Sequence, residues 1–99
     1  MAVESSVIDE LKLSVSVEKI REQKFHAPVP KRIIIKPTSG DPDGLEVILV
    51  FETETDLKRF GRPGISDMFF WIAKTVRQKL GGGAVPYLSA VSESSLRYR

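Results

Sequence analysis

Lys31-Arg32-Ile33-Ile34-Ile35-Lys36-Pro37 and Leu45-Glu46-Val47-Ile48-Leu49-Val50-Phe51-Glu52-Thr53 are two β-branched runs, and the way they are joined decides the fold class. Branched side chains pack well on a pleated surface, so both runs are expected to be strands. Between them stands Thr38-Ser39-Gly40-Asp41-Pro42-Asp43-Gly44, rich in residues that accept turn geometry and positive φ. That composition predicts an antiparallel hairpin. In the second strand Leu45, Val47, Leu49 and Phe51 alternate with Glu46, Ile48, Val50 and Glu52. Side chains alternate across a strand, so the first set makes a core face. The second set is apolar in its middle, which predicts a strand that is central or covered on both sides.

Downstream, Ser66 reads as an N-cap for a helix over 67–80, and Gly81-Gly82-Gly83 as its stop. At 100° per residue Phe69, Ile72, Ala73, Val76 and Leu80 form one stripe, the expected core face. A third strand follows over 84–91, with Pro86 near its start predicting an edge position. Residues 92–99 read as a frayed tail.

Upstream the pattern supports two readings. As a helix, Val7, Ile8, Leu11 and Val15 make a stripe, but Leu13, Val17 and Ile20 fall opposite. As a strand, Leu11, Leu13, Val15 and Val17 alternate with Lys12, Ser14, Ser16 and Glu18, and a short helix follows over 19–25. The first gives the order α-β-β-α-β and the second the ferredoxin-like β-α-β-β-α-β. Either way the chain is an α+β fold of two layers, a largely antiparallel sheet of three or four strands with helices on one face.

Length and composition narrow the function classes. The chain of 99 residues carries one core, 41% hydrophobic and 28% charged residues, and a net charge of +2; it is expected to be one domain over 1–99. It has no cysteine and one histidine, His26, which excludes disulfides, thiolate chemistry and a multi-histidine metal site. The start, Met1-Ala2-Val3-Glu4-Ser5-Ser6, has no basic or apolar signal, and no run approaches the ~18 apolar residues of a membrane span. A cytoplasmic protein without membrane contact is expected.

No catalytic group is expected, and no cofactor. Asp43 with Asp56 and Lys58 has the residue types of a metal-dependent nuclease, but a strand of about eight residues, roughly 26 Å, separates the carboxylates. Glu52, Glu54 and Asp56 alternate without the glycine-punctuated loop that calcium binding uses, and read as a solvated strand end. Gly81-Gly82-Gly83 follows a helix, whereas phosphate loops precede one.

Gly61-Arg62-Pro63-Gly64 does precede the expected helix, with Lys58 and Arg59 just upstream. With the helical N-terminus, the order α-β-β, a short turn at 56–60, Gly-x-x-Gly, helix, strand resembles the type II KH domain. That resemblance implies binding of single-stranded RNA, with Gly61, Arg62 and Gly64 as the clamp on its backbone; Lys58 and Arg59 are further candidate anion-binding residues beside it. The chain departs from the family pattern at Asp67, where an aliphatic residue is usual, and at Pro63, which lacks an N–H. An RRM-like reading fails, because the central strands carry only Phe51, and on the core face.

Met68-Phe69-Phe70-Trp71-Ile72 is apolar nearly all round a helical turn. Trp71 is set about 200° from the expected core stripe, with Met68 and Phe70 widening the arc. Either the N-terminal segment or the tail covers Trp71, or Met68, Phe70 and Trp71 meet another chain, as exposed aromatics and methionine do at interface centres. The expected function is therefore a non-enzymatic binding or assembly module. Its partner is protein, another chain or a second copy, with single-stranded RNA as the alternative.

Overall fold

A computed structural model of the chain describes residues 5–25, 28–41, 44–81 and 85–94, with the backbone alone at 5–6, 60–66 and 85. In chain order the elements are α1 (Ser5–Ser14), α2 (Val17–Glu22), β1 (Arg32–Pro37), β2 (Gly44–Phe51), α3 (Glu54–Leu80) and β3 (Val85–Ser92). The expected two-layer α+β architecture is present, with β2 between β1 and β3.

The hairpin forms as the two apolar runs require, with β1 antiparallel to β2 from Arg32↔Val50 to Pro37↔Leu45. Thr38 N–H donates to the Gly44 carbonyl at 3.1 Å, closing the loop. Gly44 is needed there for space, since a Cβ would lie 3.0 Å from the Cβ atoms of both Thr38 and Asp41. The second pair is parallel, from Gly44↔Val85 to Phe51↔Ser92. Parallel strands need a long crossover, and α3 supplies it. At 1.5 Å per residue its 27 residues span about 40 Å, ample to carry the chain back along β2.

The N-terminal ambiguity resolves toward helix, and the four-stranded ferredoxin-like order is absent. Burial explains why: Ile8, Leu11 and Val15 go into the core, while Leu13, which the strand reading would bury, is 75% exposed. Val17 and Ile20, also off the helical stripe, are accommodated by a break. The Ser16 hydroxyl accepts from Lys19 N–H at 3.2 Å and starts α2, turning the chain so that Ile20 rejoins the core. Lys24, at φ 55°, then ends the helical segment in the left-handed conformation common just past a helix.

On the core side Leu45, Val47, Leu49 and Phe51 of β2 are buried with Ile35 of β1 against Ile8, Leu11, Ile20, Met68, Ile72 and Val76 of the helices. Each such side chain removed from water contributes roughly 1.5 to 3 kcal/mol. The reverse face is laced by polar bridges. Arg32 reaches Glu93 with two hydrogen bonds of 3.2 Å, Lys36 lies 3.8 Å from Glu46, and the Tyr87 hydroxyl donates to Asp41 at 3.1 Å. That hydrogen bond, with the charge of Asp41, raises the phenol pKa above its ordinary value. Val50, on this face, is nonetheless fully buried.

The largest departure from expectation is the start of α3. A helix beginning at Asp67 behind Ser66 was expected; it begins at Glu54 and runs unbroken through Gly61-Arg62-Pro63-Gly64. Its N-cap is Thr53, whose hydroxyl accepts from Asp56 N–H at 3.1 Å. Glycine costs about 1 kcal/mol and proline about 3 kcal/mol in a helix interior, so this stretch is helical against its local preference. Packing of the flanking turns holds it. At the other end Gly81, φ 91°, caps the helix through its N–H to the Arg77 carbonyl at 2.8 Å. The tail expected to fray begins as structure, because Ser92 is buried and its hydroxyl bonds the Glu54 carboxylate. Residues 95–99 lie outside the described residues.

Candidate functional site

Six acids and no base lie between 40 and 56, and six bases with one acid between 57 and 80, a distribution that acquires a physical meaning on α3. Glu54 and Asp56 occupy its first turn and Arg77 and Lys79 its last, the arrangement that complements the positive N-terminal and negative C-terminal ends of the helix dipole. Much of the charge asymmetry thus stabilises a helix. Glu52, Glu54 and Asp56 do not share one side of a strand, since the last two are helical. Among the described residues no acid or histidine cluster has the geometry to hold a metal ion. Asp43 and His26 lie outside the described residues.

The apolar turn at 68–72 divides among environments. Met68 is 0% exposed and packs in the core with Ile72 and Val76. It is therefore withdrawn as a surface residue: the buried stripe runs 68, 72, 76, rotated from the expected stripe, and Phe69 sits at its flank. Trp71 is half-buried, its ring edge-on to Phe25 with centroids 6.2 Å apart and planes at 68°. The N-terminal segment is thus the cover that Trp71 requires, at least in part. Phe70 alone projects outward, at 72% exposure.

Around Phe70 the outer side of α3 forms an open hollow of about 430 Å³ lined by Phe70, Ala73, Lys74, Arg77 and Gln78. Spacings of three, four, seven and eight residues from Phe70 keep these side chains on one face. Arg59, also exposed, precedes Phe70 by three helical turns and falls about 20° from it at 100° per residue, whereas Lys58 falls about 120° away. None of Lys58, Arg59, Lys74 or Arg77 forms an ion pair among the described residues. The face is basic, with one aromatic at its centre.

Gly61, Arg62 and Gly64 belong to the backbone of α3, so the loop on which the KH-like clamp depends is replaced by helix. The face formed by Phe70, Lys74 and Arg77 was legible in principle from their spacing. The continuous apolar run of 68–72 masks that spacing. No described helix is long and apolar enough to cross a membrane. No protein-family model, curated protein or solved structure matches the chain.

Proposed function

We propose that this chain is a non-enzymatic, cytoplasmic binding module that holds a protein partner against the outer face of α3. Phe70 is the apolar anchor, and Lys74 and Arg77 are cations that select acidic groups beside it. The observation that carries this reading is the 72% exposure of Phe70 on a concave face whose cations form no ion pair among the described residues. Aromatic residues and arginine are what interface centres are enriched in, and a desolvated aromatic anchor is the usual source of most of the binding energy.

Single-stranded RNA is the second reading. Arg59, Lys74 and Arg77 share a stripe with Phe70, and a basic track bearing an aromatic that stacks on bases is the general solution for single strands. This version of the RNA reading does not need a Gly-x-x-Gly loop.

Purification of the tagged protein from its native cell, with and without nuclease, separates the two. For a protein partner, capture survives nuclease and is lost in Phe70→Ser/Lys74→Glu. Loss on nuclease treatment, together with affinity that falls steeply with salt as counterions are released, assigns the face to RNA. Equal capture by wild type and variant overturns both.

A further inference from the structure

Among the described residues β1 pairs only with β2, so its other edge offers backbone N–H and C=O groups with no strand partner among them. Against this edge α1 ends and α2 begins, leaving a hollow of about 240 Å³. Val15 and Ile35 are its buried floor, Val17 and Ile33 its half-buried walls, and Lys12 and Lys31 its exposed rim. Arg32 also lines it, but its guanidinium is engaged by Glu93. Neither Lys12 nor Lys31 has a side-chain ion pair among the described residues, and no described carboxylate lines the hollow.

A groove between a helix and an unpaired edge strand is the geometry in which an extended peptide adds to a sheet. Main-chain hydrogen bonds give affinity, and alternate side chains enter the groove. We propose that this groove takes an extended acidic peptide of a partner protein as a fourth strand beside β1. Ile33 and Ile35 have the same strand parity and belong to the helix side of the sheet, and Lys31 stands just before β1 at the rim. Every second residue of the added strand meets them: apolar side chains against Ile33, Ile35, Val15 and Val17, and a carboxylate between Lys31 and Lys12.

Charge decides the occupant. A second copy of β1 in antiparallel register about Ile34 sets Arg32 against Lys36, with Pro37 removing a donor at the end, and edge lysines and prolines are how sheets repel copies of themselves. The chain's own residues 95–99 carry Arg97 and Arg99 and no acid, the wrong sign for the rim. This site is separate from the α3 face, and the proposal stands whether or not Phe70 binds a partner.

The test uses the isotopically labelled full chain and the peptide acetyl-Glu-Thr-Val-Thr-Val-amide with its reversed sequence, each also made with Lys in place of Glu. With an acidic peptide, the amide resonances of residues 31–35 shift and the hydrogen exchange of Ile33 and Ile35, whose N–H groups face away from β2, slows at least tenfold, while Phe70–Gln78 stay unmoved. Lys12→Glu/Lys31→Glu weakens the acidic peptide at least tenfold and gains affinity for the lysine peptide. Lys12→Gln/Lys31→Gln gives the intermediate loss should the charge reversal disturb folding. Equal binding of acidic and basic peptides, shifts confined to the α3 face, or displacement by inorganic phosphate at the same concentration as by peptide each overturns the proposal.

Discussion

Met68 and Phe70 stand two residues apart on the same helix and have opposite fates. One is 0% exposed among Ile72 and Val76, and the other is 72% exposed beside Lys74 and Arg77. Two residues advance a helix by about 200°, so a run that is apolar all round must serve two surfaces. The inner side of α3 is committed to β3, β2 and α1. The outer side carries an aromatic that the fold does not use. Hydrophobicity alone does not separate these roles; the phase of the helix does.

The comparison breaks most readily at Met68. Truncation of a fully buried side chain leaves a cavity, so Met68→Ala should cost about 2 to 5 kcal/mol. Phe70→Ala should stay within about 0.5 kcal/mol, as substitutions away from packed features do. Urea denaturation of the two variants measures both, and equal losses would place the two residues in one environment.

A smaller effect sharpens the account of α3 itself. If residues 61–64 are helical, Gly61→Ala and Gly64→Ala should each stabilise by about 0.5 to 1 kcal/mol through helix propensity. For a domain of this size that raises Tm by about 2 to 8 °C per substitution. A lowered Tm would mean that a glycine there holds positive φ, and would return the segment to a loop.

How much of this was legible follows the range of the signals. The hairpin was, because Ile33 to Ile35, the alternation of 45 to 51 and the turn residues between them agree locally. The central place of β2 followed from Ile48 and Val50 on its second face. The N-terminal helices were not decidable, since the same residues alternate and also recur at helical spacing. The exposure of Leu13, which separates the readings, depends on the tertiary core, and the Ser16 cap is a local signal that the alternation around it outweighed. The start of α3 was missed for the opposite reason. Gly61, Pro63 and Gly64 give a strong local stop that packing overrides, while the Thr53-Glu54-Thr55-Asp56 cap signal was present and outweighed. On α3 the exposure of Phe70 was legible, Met68 was assigned to the wrong face by an error in helical phase, and Lys12 with Lys31 had no local signal. Those two lysines come together only once the first segment is a helix.

The division of α3 into a buried face and an exposed face, and the proposed contact at the second, can be measured directly because the chain has no cysteine. Single variants Phe70→Cys and Met68→Cys, each the sole thiol in the protein, report the solvent access of one side chain through the rate of alkylation. The account predicts fast labelling at position 70 that falls at least tenfold in the complex recovered from the native cell, and slow labelling at position 68 in both states. Labelling at position 70 that is unchanged in the complex, or equal at the two positions in the free protein, would contradict it.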